Sequence, residues 1–203
     1  MALSLSGQRV TINRPLSPII EEWRTVVQDY HKALPGDAIY FYTEQALVSS
    51  LIGATWRLKG CVAIMEWQTK RGRKVSEQRR GRADLYVKVS DGANLGGYII
   101  EAKMLVQDIG PRSSSLSKLS KKVDKILDEE KGRAEGIQEY GEKLGMLFVV
   151  PVFLAKYEHQ EHDPIQRFLL NLKQVDVDIG WNLTFTDYRK EENVWPGVAV
   201  LFK

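Results

Sequence analysis

Apolar side chains return at helical spacing over residues 17–34, where Ile19, Ile20, Trp23, Val26, Val27 and Tyr30 share one face. Ser17-Pro18 reads as a cap followed by proline at the first helical position, and Pro35-Gly36-Asp37 stops the helix. A second helix is predicted from Thr43, a good cap residue, through Ala46, Leu47, Leu51, Ile52 and Ala54 to Gly60. Shorter apolar runs then take over. Residues 61–68, 83–89 and 97–103 read as strands, and a loop of Asp91, Gly92, Asn94, Gly96 and Gly97 separates the last two. Gly110-Pro111 and the serines at 113–115 break the pattern. Helical spacing resumes at Leu116 with Leu119, Val123, Ile126 and Leu127, and Gly132 and Gly136 predict a kink before 137–141. Residues 147–155, apolar but for Pro151, read as a buried strand. Asp163-Pro164 opens a helix with Ile165, Phe168, Leu169 and Leu172, and 175–185 and 194–202 read as two final strands. The first 15 residues read as an irregular or strand-forming arm.

Helices interleaved with strands in a chain of 203 residues predict one α/β domain over 1–203. Its core spans about 43–155, with an N-terminal helical extension (1–42) and a C-terminal helix and strands (156–203). The charged fraction of 27% and hydrophobic fraction of 43% are those of a soluble globular protein. No apolar stretch reaches transmembrane length and no basic start precedes an apolar core, so a cytoplasmic protein with no membrane partner is expected. The lone cysteine, Cys61, has no internal disulfide partner and reads as a small buried residue. The net charge of +3 permits a nucleic-acid partner without demanding one. Its distribution says more. Lys70, Arg71, Arg73, Lys74, Arg79, Arg80 and Arg82 crowd one stretch opposed by Glu77 alone, and Lys118, Lys121, Lys122 and Lys125 form a second group. Such clusters bind phosphate backbones by releasing counterions, or are simply solvated faces. The first leads into Asp84 and favours binding; for the second the two readings are even. His159 and His162, among Glu158, Glu161 and Asp163, suit a solvated loop better than a zinc site.

The chemistry gathers at Asp84 and at Glu101-Ala102-Lys103. Alternation along a strand puts Glu101 and Lys103 on one face and turns Ala102 to the other, and a hairpin brings Asp84 beside them. Mg²⁺ prefers oxygen ligands, usually one or two carboxylates completed by water and substrate phosphate. Asp84, Glu101 and the Ala102 backbone carbonyl are such donors. Lys103, kept protonated by its acidic neighbours, orients water or neutralises charge on phosphorus. An acid-x-Lys tripeptide alone is a common solvated surface pattern. Its setting is what distinguishes this one: an Asp one strand earlier, Glu44 on the preceding helix, the apolar lead-in Ile99-Ile100, then a charged helix and an apolar strand.

Asp84, Glu101-Ala102-Lys103 and Glu44, in that order of elements over 43–155, resemble the PD-(D/E)XK nuclease superfamily. The resemblance implies a restriction-endonuclease-like αβββαβ core with a mixed central sheet flanked by helices. It implies a nuclease that hydrolyses phosphodiester bonds in DNA with Mg²⁺ or Mn²⁺, RNA not being excluded, and Asp84, Glu101, Lys103 and Glu44 as its catalytic set. Ala83 stands where the family often has proline. Gln138 and Tyr140 are the nearest counterparts of a Gln or Tyr that some members carry before the fourth strand. Glu44 also suits the first turn of a helix, where the dipole favours negative charge. Cutting both strands of a duplex is simplest for a homodimer. The competing readings are a catalytically silent module on the same core, binding nucleic acid or a protein, and a surface acid–lysine pair of little energetic worth.

Overall fold

The computed structural model describes residues 15–71, 79–91, 94–111, 113, 116–160, 162–175, 178–182 and 188–203. Helices α1 (Ser17–Ala33) and α2 (Glu44–Arg57) precede three strands, β1 (Cys61–Arg71), β2 (Arg79–Asp91) and β3 (Asn94–Asp108), which pair antiparallel in sequence order. Helix α3 (Leu119–Glu135) then crosses to β4 (Glu142–Leu154), which runs parallel to β3 from Tyr98↔Glu142 to Asp108↔Val152. Helix α4 (His162–Leu172) and four short strands follow: β5 (Asp178–Asn182), β6 (Arg189–Lys190), β7 (Asn193–Val194) and β8 (Val198–Phe202). β7 and β8 both lie antiparallel on β4, with β6 beyond β7 and β5 beyond β8. The result is an α/β fold with a mixed sheet between helices. No described helix is long and apolar enough to cross a membrane.

The central strands β4 and β8 are buried on both faces, which is why they read as continuous apolar runs. Leu144, Met146, Phe148 and Val150 of β4, with Val198, Val200 and Phe202 of β8, pack on Ile19, Ile20, Trp23 and Val27 of α1 and Leu47, Val48 and Leu51 of α2. The intervening Leu147, Val149, Ala199 and Leu201 face Leu119, Val123 and Leu127 of α3 and Ile165, Phe168 and Leu172 of α4. Trp23 is fully buried, its ring 5.7 Å from that of Phe148, and its Nε1–H donates to Ser50 Oγ at 2.8 Å, locking α1 to α2. It is core packing, as the helical stripe implies.

Several boundaries move for identifiable reasons. Ser17 is the first helical residue rather than the cap, because buried Leu16 supplies the first acceptor, its carbonyl taking the Ile20 N–H at 3.1 Å. The Gly96-Gly97 segment belongs to β3, and β4 begins at Glu142 rather than 147, since the parallel ladder runs its full length. Helix α3 ends at Glu135 without continuing into 137–141. Ile137 is instead buried against Ala83 and Ile99, and the Gln138 N–H donates to the Lys70 carbonyl of β1 at 3.2 Å. β5 occupies 178–182 of the strand expected at 175–185, with 176–177 and 183–185 outside the described residues; the strand expected at 194–202 divides into β7 and β8 around Pro196-Gly197, and β6 is unanticipated. Cys61 is half-buried rather than enclosed. Residues 1–14, the middle of the basic segment (72–78) and the side chains of Glu158, His159, Glu161, His162 and Asp163 lie outside what is described.

Candidate active site

Strands β2 and β3 pair from Asp91↔Asn94 to Leu85↔Ile100 and then part, so that Asp84 and Glu101 face each other one step beyond the last pair. Parting strands leave backbone donors on β3 without a ladder partner, a costly state if unrelieved. Two carboxylates relieve it. Asp84 Oδ2 accepts from the Ala102 N–H at 2.8 Å and Glu44 Oε2 from the Met104 N–H at 2.9 Å. Positions 102 and 104 address the same strand edge, and a residue's N–H and C=O point to one edge together. The Ala102 carbonyl therefore opens onto the gap that holds Asp84 and Glu44. Backbone directions fixed by the sheet thus hold both acids.

β1 is irregular at the same level. Its register with β2 omits the Glu66–Asp84 rung, and Glu66 has a left-handed φ of 51°. Regular pairing resumes at Trp67↔Ala83. Trp67 then stacks on Tyr86, rings 5.1 Å apart, and Arg82 Nη1 donates to Glu66 Oε2 at 2.6 Å. The hairpin is thus distorted on both sides of Asp84.

Glu44 begins α2, whose cap is the expected Thr43: its Oγ1 accepts from the Ala46 N–H at 3.3 Å. The two readings of Glu44 coexist, since this first-turn acid is also the one that reaches β3. Lys103 Nζ lies 4.0 Å from Glu44 Oε2 with half of its side chain exposed, a geometry worth at most about 1 kcal/mol to stability. Glu101 is buried, at 4% exposure. Burial pushes the Glu44 carboxyl above the ordinary glutamate range; Lys103, the Met104 N–H and Arg133 oppose this, and Asp84 adds to it.

Two residues of α3 join the group without having been singled out from sequence. The neighbour of Glu101 on β4 is Gly145, where the helix backbone presses onto the sheet: a Cβ there would stand 2.5 Å from the Leu127 carbonyl oxygen and 2.7 Å from the Lys131 nitrogen. That close approach buries Glu130, at 2% exposure, and Arg133 Nη1 donates to both of its carboxylate oxygens at 3.0 Å. Burial raises the Glu130 carboxyl, against the pull of Arg133 and Lys103, and Asp84 raises it further. A signal was present: Leu119, Val123, Leu127, Glu130 and Ala134 form one buried helical stripe, so Glu130 occupies an apolar position.

The remaining candidates fall elsewhere. Tyr140 is fully exposed and, with Tyr86, Lys88, Tyr98 and Glu142, lines a cavity of about 450 Å³. It and Gln138 follow α3 instead of riding on it, which corrects the expectation of helical contacts from these two. Of the basic segment, Lys70 and Arg82 are exposed, Arg82 in its ion pair with Glu66. Arg71, Arg79 and Arg80 lie on β1 and β2 with side chains outside the description, as are Arg73 and Lys74 entirely. Lys118, Lys121, Lys122 and Lys125 are exposed along the start of α3.

Comparison with protein-family models, with curated proteins and with solved structures returns no match to this chain.

Among the described residues, no three His, Cys, Asp or Glu side chains are grouped to hold a metal ion between them. A hard cation bound by two carboxylates, with water and phosphate completing its shell, requires no such cage. Asp84 commits Oδ2 to the Ala102 N–H, and its Oδ1 has no hydrogen bond among the described residues. Asp84, buried Glu101 and the Ala102 carbonyl are oxygen donors of the type a hard cation takes.

Proposed function

We propose that this chain is a divalent-metal-dependent nuclease of the restriction-endonuclease-like type, hydrolysing phosphodiester bonds in DNA. The observation that carries the reading is the convergence of Asp84, Glu101, Lys103 and Glu44 where β2 leaves β3. Asp84 of β2 and Glu44 of α2 accept from the Ala102 and Met104 N–H groups, Lys103 lies 4.0 Å from Glu44, and Glu101 stands one step beyond the last β2–β3 pair. The order of elements supports it: a helix bearing the acid, three antiparallel strands, a helix, and a strand parallel to the third. In this reading Asp84, Glu101 and the Ala102 carbonyl hold Mg²⁺ or Mn²⁺, which when bound polarises phosphate and makes water acidic. Lys103, charged and half exposed, orients the attacking water and offsets charge developing on the phosphoryl oxygens. Glu44 fixes Lys103 from the far side and holds β3 in register with α2. Lys70 and Arg82, both exposed, contact the phosphate backbone in this reading.

A second reading is a silent module that binds nucleic acid or a protein through the same core. It is favoured by the hydrogen bonds that already engage Asp84 and Glu44, and by the lack of a three-ligand group among the described residues. Cleavage of supercoiled plasmid, linear duplex and single-stranded DNA by wild type and Asp84→Ala, in Mg²⁺, Mn²⁺ and EDTA, separates the two. Metal-dependent cutting that disappears in Asp84→Ala is expected. Binding that ignores metal and yields no product would establish the silent module.

A further inference from the structure

Arg133 is held by Glu130, the buried acid that α3 seats beside Gly145, the β4 neighbour of Glu101. It lies on α3, and half of its side chain is exposed. Its Nη1 alone is engaged, with both oxygens of Glu130, and among the described residues Nε and Nη2 make no hydrogen bond. Glu44 feels its charge, and Glu130 feels those of Lys103 and Asp84. A buried carboxylate on a buried helical stripe is an expensive way to make an i,i+3 surface pair, which is worth only tenths of a kcal/mol in an exposed helix. What the arrangement achieves is to fix a guanidinium fork in one place. A planar fork with open donors matches two oxygens of a phosphate.

We propose that Arg133 is a phosphate-binding residue of this site, and that Glu130 is the positioning residue that holds it. This rests on the nuclease reading above. Glu130 takes one guanidinium nitrogen and leaves the rest of the fork for a phosphate of the strand being cut. Gly145 permits it by letting α3 lie directly on the sheet beside Glu101. Lys103 and Arg133 then approach the substrate from β3 and from α3, so the phosphate is gripped from two elements.

The test uses a fluorescein-labelled oligonucleotide, as duplex and as single strand, with the full chain. Binding is titrated in EDTA at several salt concentrations, and cleavage is followed in Mg²⁺. Arg133→Ala should weaken binding roughly ten- to hundred-fold. It should also flatten the plot of log affinity against log salt by about 0.9 on duplex or about 0.7 on single strand, the mark of one lost phosphate contact. Arg133→Lys should restore the salt slope but not the full affinity, because an ammonium is a point charge rather than a fork. Lys32→Ala, in an exposed i,i+3 pair with Asp29 on α1, is the control and should leave the slope unchanged. If Arg133→Ala unfolds by leaving Glu130 unpaired, Glu130→Gln with Arg133→Gln removes both charges and should lose the same slope. Wild-type slope and affinity in folded variants would overturn the role of Arg133 while the nuclease stands. Wild type that neither binds nor cuts would overturn the nuclease reading itself, and the role of Arg133 with it.

Discussion

Gly145→Ala tests the packing on which the site depends, and the sign of its effect is not obvious in advance. A glycine inside a strand costs conformational entropy, so alanine there should stabilise by about 0.5–1 kcal/mol if the new methyl found room. It does not. The Cβ would fall 2.5 Å from the Leu127 carbonyl oxygen, 2.7 Å from the Lys131 nitrogen and 3.3 Å from the Lys131 Cα. All three are backbone atoms of α3, so no rotamer change relieves the clash, and the helix itself must withdraw by at least half an ångström. Overpacking of this kind costs about 1–3 kcal/mol, and the upper part of that range is expected because backbone must move. The clash outweighs the entropic gain. For a chain of this size the melting temperature should fall by about 2–8 °C. Gly53→Ala in α2 supplies the opposite case, since nothing lies within 4 Å of its Cβ and the position is exposed. There the helix propensity difference should appear undiminished, stabilising by about 0.5–1 kcal/mol. Thermal melts of the two variants, run together, should move in opposite directions. Gly145→Ala melting at or above wild type would refute the close seating of α3, and with it the placement of Glu130 beside the acids.

Lys103→Ala should lower the cleavage rate by about 10²–10³-fold with little change in melting temperature, since its ion pair with Glu44 is half exposed; cleavage at the wild-type rate would remove Lys103 from the mechanism. Glu44→Gln should reduce cleavage yet raise the melting temperature at pH 7 in EDTA. The folded-state pKa of Glu44 is raised, so its neutral form is favoured by folding and ionisation costs stability as pH climbs through that pKa. The advantage of Gln should therefore fade as pH falls through the ordinary glutamate value of about 4.3 toward about 3, where Glu44 is protonated folded or unfolded. A stability gap that widens on acidification would contradict this. Glu66→Gly and Glu66→Val read the left-handed turn beside Asp84: glycine accepts φ 51° freely, whereas a β-branched side chain does not. Denaturant midpoints should put the valine variant at least about 1 kcal/mol below the glycine one, and equal midpoints would argue against that backbone conformation.

The hairpin and its chemistry were legible because they rest on period two. Alternation in 83–89 and 97–103 fixes which side chains share a face, and pairing those runs brings Asp84 to Glu101 whatever the length of the loop. Glu44 was legible as a first-turn acid after a good cap. Glu130 and Arg133 were not, because an acid and a base three apart in Leu127-Asp128-Glu129-Glu130-Lys131-Gly132-Arg133 look like any solvated helix face. The apolar stripe running through Glu130 marks it, but only if the stripe is extended across a charged position. The strand extents failed for a related reason. Gly96, Gly97 and Gly145 are punctuation in a sequence, while in the fold they are places where a tyrosine or a helix backbone lies against the sheet. The Cβ of Gly97 would meet Tyr86 Oη at 3.2 Å.

The same physics explains why the acids sit where β2 and β3 part. A fully paired strand offers no backbone donors, and a fully open edge leaves donors to water or to another chain. Between the two, Ala102 and Met104 each present an N–H whose direction is set by β3, paired along its other edge with buried β4. A carboxylate that accepts such a bond is held by the core of the protein rather than by its own rotamer preference. Asp84 and Glu44 are therefore positioned before any ligand arrives, the preorganisation that the proposed metal-dependent cleavage requires of its acids. Burial of Glu44 and Glu130 costs stability, since it pushes both carboxyls above the ordinary glutamate range. Regular structure would avoid that cost by continuing the ladder past Leu85 and Ile100. The break in the ladder, the turn at Glu66 and the bare backbone at Gly145 each decline to do so, and they do it within one strand spacing of Asp84 and Glu101.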